Sequence, residues 1–460
     1  MCPRFILASV SQAHQPCLLA SFAAPAPLGN GRMTQCAAVA VSFGVARQRH
    51  EQARFAKGWP VVSLADSMGI CRDAALRCVG CGLCEQVQNE GCGCAAGTWG
   101  PFAERVVEQA DAGAFDPRTE RLLFTCALCG ACTVSCPVGI DAAAVVCAGR
   151  ELYLQVKPEL SDRWRPMRVD YAGHAFRGIR AWQGVRYDDA LAAGEPCESV
   201  FFPGCTLTTY APALTRATMA FLRDAGLAAG MTDLCCGKPV RLMGLAQQYD
   251  GYAQAIGARL AAHGVRRVIA GCPNCYYELL HAKEQGLIDA GIEVQALPRV
   301  LLEAGLRVPE ERGVAADART FSVHDSCSDR QTDEFGSAVR ALLPSGSCRE
   351  MRHHGADTIC CGSGGVVSYY DVRVCEGRRA RRMAEFGDTG ADCLVTACVS
   401  CANSMLRADG AAPVRHYLEL LFDVEIDWEA YRQASESFAA TSGFAFDRAE
   451  DNEPLLGPSA

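Results

Sequence analysis

The sequence has no apolar run long enough to cross a bilayer. A membrane helix needs about 20 consecutive apolar residues, and the longest wholly apolar stretches here are short pieces such as Ala142–Cys147. The chain is therefore expected in the cytoplasm, where docking on the inner face of the cell membrane would need a partner subunit. A basic stripe is missing as well: 44 Lys and Arg stand against 52 Asp and Glu, a net charge of −8, and the pI is near 5.7. That balance argues against nucleic acid as a partner. No GxGxxG run follows a strand and opens a helix, which argues against a flavin or nicotinamide site. The N-terminal stretch lacks the lysine-rich start, continuous apolar core and small-residue cleavage site of a secretory signal. Its Cys2, Cys17 and Cys36 have no ligand-like spacing. Residues 1–69 are read as a disordered or spurious extension, with Met33 and Met68 as alternative starts.

What the chain has in abundance is cysteine, 28 in 460 residues. In a short secreted chain that count would indicate disulfides. This chain is long, half of its residues are hydrophobic, and its thiols recur at CxxC spacing. In a cytosolic protein such spacing marks metal ligands. The length allows two or three domains at roughly 100–200 residues each.

Residues 70–155 hold two dense cysteine motifs joined by a helix-like stretch, and residues 156–197 form a polar connector. Residues 198–315 and 316–425 are two copies of one pattern, and residues 426–460 read as a loose acidic tail. The first copy runs from a strand at Ser199–Phe202 through Cys205, Cys235-Cys236-Gly237 and a strand at Arg267–Ala270 to Cys272-Pro-Asn-Cys275. The second runs from Thr320–Val323 through Cys327, Cys360-Cys361-Gly362 and Cys393–Thr396 to Cys398-Val-Ser-Cys401. Each then enters an apolar strand and helix, Val294–Leu302 and Val414–Leu421. Strands alternating with helices of this length predict parallel, right-handed α/β units. The cysteines then fall in loops at strand ends, where such sheets place their ligands.

Cys126-x2-Cys129-x2-Cys132-x3-Cys136-Pro137 has the spacing of a [4Fe–4S] ligand run, whose fourth cysteine reaches the other cluster in two-cluster ferredoxins. Zinc sites use pairs of CxxC and have no use for a third cysteine at that spacing. Cys78-x2-Cys81-x2-Cys84 is the matching motif, but Gln88 and Asn89 stand where Cys-Pro would be. Cys92 and Cys94 follow in Gly91-Cys-Gly-Cys, and one of them is read as the displaced fourth ligand, with Cys94 preferred. The alternative is a three-ligand site holding a labile or three-iron cluster. Between the two motifs, Phe102–Phe124 shows helical spacing with a turn at Gly113–Pro117, and Ile140–Leu154 also reads as a helix. Residues 70–155 resemble the helical two-cluster ferredoxin domain of respiratory subunits. Cys71 and Cys147 are read as ordinary buried thiols.

Each later repeat supplies five cysteines: Cys205, Cys235, Cys236, Cys272 and Cys275, then Cys327, Cys360, Cys361, Cys398 and Cys401. Five thiolates exceed the four that a tetrahedral zinc or a cubane needs. Adjacent cysteines also suit two irons of one larger cluster better than one small ion. Gly237 and Gly362 are expected to let the backbone approach inorganic sulfide. The doubled C…CCG…CxxC pattern behind a ferredoxin-like region resembles the heterodisulfide reductase family of iron–sulfur subunits. That family is related to the iron–sulfur subunits of glycolate oxidase and anaerobic glycerol-3-phosphate dehydrogenase. His324-Asp-Ser-Cys327, Cys360-Cys-Gly-Ser-Gly-Gly365 and Gly390-Ala-Asp-Cys-Leu-Val-Thr-Ala-Cys398 add to the resemblance. Val399 departs from it, standing where the first repeat has Pro273, without removing a ligand.

The resemblance implies an α+β multidomain fold, an α-helical two-cluster ferredoxin domain followed by two repeated α/β cysteine-rich (CCG) domains. It implies two [4Fe–4S] cubanes and one or two noncubane [4Fe–4S] centres. It further implies a redox subunit that reduces a disulfide at the CCG centres or exchanges electrons with a thiol or quinone carrier. The alternative is a non-catalytic wire serving a flavin-dependent glycolate, 2-hydroxyacid or glycerol-3-phosphate dehydrogenase and feeding quinone. The expected partners are a flavoprotein dehydrogenase or a membrane quinone or cytochrome subunit. A cluster-bearing sensor or scaffold is the reading from another class.

Arg378, Arg379, Arg381 and Arg382 read as a solvated helix face, with a docking patch for an acidic partner as the functional alternative. His324 reads as structural, with a hydrogen bond to cluster sulfur or proton delivery as the alternative; His353 and His354 read as loop residues. The Cys126 motif yields a direct test. Cys129→Ser should remove about four irons per chain after anaerobic purification, and zinc in place of iron in the parent protein would refute the reading.

Overall fold

The computed structural model describes residues 64–92, 96–192, 196–310, 320–408, 413–442 and 453–456, all within one structural unit. The remaining stretches, including Cys94 and most of the 1–69 extension, lie outside the described residues. No described helix is long and apolar enough to cross a membrane.

The N-terminal part is helical, at Leu64–Arg77, Leu83–Val87, Trp99–Asp111, Pro117–Thr125, Ala131–Ser135 and Ala142–Val156. Local chemistry fixes the starts. Asp116 accepts the Thr119 N–H at 2.8 Å with Pro117 in the first turn, and Asp141 accepts from Ala143 and Ala144. The helix Ala142–Val156 is buried on most sides because it is gripped from two directions. A Cβ on its Gly149 would lie 2.6 Å from Leu123, and one on Gly244 of the first repeat would lie 2.7 Å from Arg150.

The two repeats fold into parallel sheets. The first holds β1 (Ser199–Phe202), β2 (Gly230–Met231), β3 (Arg267–Ala270) and β4 (Glu293–Ala296) in the order β2-β1-β3-β4. The second holds β5 (Phe321–His324), β6 (Cys393–Thr396) and β7 (Val414–His416) in the order β5-β6-β7. β1, β3 and β4 correspond to β5, β6 and β7. β1 and β3 pair from Ser199↔Arg267 to Phe202↔Ala270, and β5 and β6 from Phe321↔Cys393 to His324↔Thr396. Where the first sheet has β2, the second has one bridge, Phe321↔Cys348. β5 starts one residue later than the sequence pattern implies, because Thr320 gives its N–H and hydroxyl to the Asp392 carboxylate. β1 and β6 are buried at every residue, as strands inside a sheet covered on both faces require. The result is a mixed helix and sheet architecture with two cysteine-rich regions.

Two expectations fail. Arg378, Arg379 and Arg382 are not a solvated face: they are 1%, 8% and 0% exposed, and only Arg381 faces water. Their helix, Val372–Thr389, is covered by neighbours, and the guanidinium groups reach acceptors inside. Arg378 donates to Thr125 O at 2.6 Å, Arg379 to Arg407 O at 2.9 Å, and Arg382 to His324 Nδ1 at 2.9 Å. The segment after residue 426 is not loose over its described part. Trp428–Ser442 is a helix that packs on the connector helix Ala175–Trp182, where a Cβ on Gly178 would lie 2.2 Å from Phe438. The connector is itself anchored by Arg180, which pairs with Asp233 at 2.8 Å.

Buried arginines also join the helical part to the repeats. Arg150 donates to Leu123 O, Cys126 O and Leu242 O, and Arg330 to Cys129 O, Ala356 O and Thr358 O. Arg330→Ala would strand those three carbonyls and should cost about 3 kcal/mol of stability. Urea unfolding measures this, and a loss under about 0.5 kcal/mol would show that other donors satisfy them.

Candidate metal centres

The two N-terminal cysteine motifs adopt the same backbone. Gly80 (φ 65°) and Gly82 (φ 77°) in the first correspond to Leu128 (φ 54°) and Gly130 (φ 73°) in the second. A leucine in the left-handed region costs roughly 1–2 kcal/mol. Here that conformation aims the Leu128 N–H at Cys126 Sγ, 3.4 Å away. The short helices that follow, Leu83–Val87 and Ala131–Ser135, pack on each other.

One hollow is lined by Cys78, Cys81, Cys84 and Cys136, with Trp99 and Ile140. The Ile140 N–H donates to Cys136 Sγ at 3.2 Å. Cys136, the last cysteine of the second motif, thus stands with the first, so four thiols meet there without Cys94. Trp99 Nε1 is buried there without a partner among the described residues. Cys126, Cys129 and Cys132 form the other group. The side chain of Gln88, which occupies the usual cysteine position, bonds Ala96 N and Gly97 O at 2.9 Å each.

The ten later thiols form a line. In the first repeat, contacts run Cys205 to Cys235 (3.4 Å), Cys235 to Cys236, Cys236 to Cys275, and Cys275 to Cys272. In the second they run Cys327 to Cys360, Cys360 to Cys361, Cys361 to Cys401 (3.2 Å), and Cys401 to Cys398. Cys272 and Cys398 then touch across the repeats, and Asn274 Nδ2 donates to Cys398 Sγ at 3.7 Å. Nine of these thiols are buried and Cys327 is half-buried. Cys205, Cys235 and Cys272 follow the ends of β1, β2 and β3, and Cys327 and Cys398 those of β5 and β6. Cys272 and Cys398 cap the helices Pro273–Glu284 and Val399–Met405.

Crowding sets the electrostatics. Contact with the Cys275 and Cys398 thiols, helped by the Cys275 and Asn274 N–H groups, holds Cys272 well below the usual thiol range. Its neighbour Cys398 is pushed up to about 12, chiefly by Cys272. So many buried thiolates need cationic charge among them. An all-sulfur donor set of more than four per repeat suits iron and sulfide better than one tetrahedral ion. Beside Cys272, Tyr417 Oη is buried without a partner among the described residues, and His416 meets the Ala397 backbone.

The CCG glycines are also required by packing. A Cβ on Gly237 would lie 3.0 Å from Tyr252, and one on Gly362 would lie 2.6 Å from Cys375 O, so protein neighbours demand both glycines. Both also meet sulfur, with the Gly362 N–H 3.3 Å from Cys360 Sγ, and Gly204 adds a Cβ position 2.6 Å from Cys275 Sγ. Behind that repeat, Arg241 and Glu278 form a buried bidentate pair. Burial opposes ionisation of Glu278, but the Arg241 charge prevails and lowers it to about 2. No sequence motif marks that pair. His324 is 1% exposed, and one of its ring nitrogens lies with Cys361 Sγ and Cys401 Sγ inside 4.8 Å. Burial first, then the Arg382 charge, lowers His324 to about 3. Cys71 is buried and raised to about 12 by desolvation.

The helical part meets the second repeat through its cysteine loop. Arg330 Nε donates to Cys129 O at 3.1 Å, and the Cys129 and Cys327 thiols are close enough to interact. Cβ positions on Gly364 and Gly365 would lie 2.8 Å from Ala127 O and 2.5 Å from Cys126 O. The sequence signal for this contact is the CCGSGG run, whose last two glycines permit it.

A family model described as a cysteine-rich domain, CCG, matches residues 199–280 and 321–406. The chain is also 22% identical over 368 residues to a protein of Syntrophomonas wolfei named EtfAB:quinone oxidoreductase. The match covers 71% of this chain, which spans about half the length of that relative. Together with the thiol geometry, these similarities support an iron–sulfur redox subunit with a role in electron transfer. The shared hollow makes a testable prediction: Cys136→Ser should remove the same EPR signal as Cys81→Ser, and Cys129→Ser a different one. Loss of one common signal from Cys136→Ser and Cys129→Ser would contradict it.

Proposed function

We propose that this chain carries electrons from an exposed cubane site, through a second cubane, to two noncubane centres, and there reduces a disulfide in the manner of heterodisulfide reductases. In this reading Cys78, Cys81, Cys84 and Cys136 hold one [4Fe–4S] cubane. Cys126, Cys129 and Cys132 hold the other, with Cys94 or Cys92 as fourth ligand. Residues 70–155 conduct, and residues 198–315 and 316–425 are the two CCG domains, each holding a noncubane centre on its five cysteines. Such clusters supply one-electron transfer at potentials tuned by charge, hydrogen bonding and exposure.

The observation that carries the proposal is the unbroken line of ten thiols from Cys205 to Cys327, with Cys129 beside its Cys327 end. That order supports entry at the first cubane, where Cys81 is exposed and Leu76, Val79 and Leu83 present apolar surface to a redox partner. The second cubane delivers to the second repeat, and the second repeat to the first. Buried Arg150, Arg330 and Arg378 hold the conducting loop in place and offset the negative charge of thiolates nearby. The unpaired Tyr417 Oη beside Cys272 is a donor available to a bound thiolate or carbonyl where the repeats meet.

The second reading is a wire from a flavoprotein to quinone, without chemistry of its own at the repeats. The similarity to the Syntrophomonas protein favours it, because that relative's name joins an electron-transferring flavoprotein to quinone. The experiment is anaerobic purification, iron and sulfide counting, and EPR with and without added thiol or disulfide. For the disulfide reading, a thiol should perturb a CCG centre and leave the cubane signals nearly unchanged. Cys235→Ser or Cys360→Ser should abolish the response at the altered centre while iron in the helical part stays. Reduction by a flavoprotein and reoxidation by quinone, with no response to any thiol, would establish the wire.

A further inference from the structure

β5 ends in a buried histidine whose protonation pattern the surrounding structure fixes. His324 Nδ1 lies 2.9 Å from Arg382 Nε. A guanidinium N–H can only donate, so Nδ1 must offer its lone pair, and the ring proton sits on Nε2. Arg382 cannot turn away from this duty. It is fully buried, with Nη1 donating to His353 O at 2.7 Å and to Glu385 at 2.8 Å. The Nε2–H that results has no partner among the described residues. Buried N–H groups are seldom left unpaired in native proteins. What stands nearby is sulfur, in Cys361 and Cys401.

The geometry points to His324 as a positioning residue that donates its Nε2–H to sulfur of the second-repeat centre and thereby raises that centre's potential above that of the first. The inference rests on the iron–sulfur reading of the repeats. The first repeat lacks the device. β1 and β5 occupy equivalent places, and the residue three before the single cysteine is Phe202 in one and His324 in the other. Phe202 is fully buried and has no donor. Reduction adds negative charge to cluster sulfur, and a fixed donor stabilises the reduced form more than the oxidised one. Two centres with the same five-cysteine pattern therefore differ in electron affinity. The one with the greater affinity is the one that Cys129 adjoins.

The test uses the full chain, purified anaerobically and titrated by EPR. His324→Phe copies the first repeat. With iron and sulfide retained, it should raise the oxidised-to-reduced ratio of one CCG centre about tenfold at fixed solution potential. For a one-electron couple that is a downward shift of about 59 mV, while the other centres stay unchanged. His324→Gln, which keeps an amide N–H near the Nε2 position, should restore most of the parent potential. In the unaltered protein with ¹⁵N-labelled histidine, pulsed EPR should show a weak coupling to one ring nitrogen, as expected across a hydrogen bond. Unchanged potentials in fully loaded His324→Phe, or no histidine coupling, would overturn the proposal alone. A strong coupling with loss of iron in both variants would make His324 a ligand and overturn it too. Zinc without sulfide in the parent chain would instead overturn the iron–sulfur reading beneath it.

Discussion

In each repeat five thiols gather at the carboxyl ends of parallel strands, and Cys272 and Cys398 meet where the repeats join. Such an assembly cannot ionise fully on its own. A buried thiolate is strongly disfavoured without positive charge or hydrogen bonds, and here thiols lie 3.2 and 3.4 Å apart. The pattern of shifts states the conflict: Cys272 is driven down while Cys398 beside it is driven up. The architecture follows from satisfying this sulfur. Strand ends deliver the thiols, and helix N-termini at Cys272 and Cys398 turn N–H groups toward them.

The same demand accounts for the buried arginines. Arg150, Arg330 and Arg378 would be costly to bury if their donors were unpaired. Instead their N–H groups meet backbone carbonyls on the Cys126–Cys132 loop or the segments around it. These bonds tie the helical part to the repeats at the point where the thiol groups come closest. Arginine suits this because its planar fork serves several carbonyls at once and keeps its charge when buried.

The repeats share a fold but not an environment. The first has a full β2 and the second one bridge at Cys348. The first opens its CxxC helix with Pro273 and the second with Val399. Phe202 in the first repeat stands where the second has His324, and the second repeat brings Arg330 to Cys129 O on the conducting loop. A duplicated ligand pattern thus carries two different electrostatic settings, which is how one motif can serve two steps of a transfer chain.

Much was legible in the sequence because it depends on local order. Strand periodicity placed β1, β3 and β6, and paired cysteines at fixed spacing announced the two repeats and the two N-terminal motifs. What tertiary structure decided was which thiols meet. Spacing alone suggests that Cys136 serves the other motif, but it cannot show that Cys272 touches Cys398, because that contact depends on how the two repeats dock. Nor can it show burial: four arginines on one helix read as a wet surface, yet three of them are inside, since only packing decides which face of a helix meets protein. His324 is the sharpest case. Its place before Cys327 was plain in the chain, but the atom that carries its proton was set by Arg382, which lies on a distant helix and can only donate.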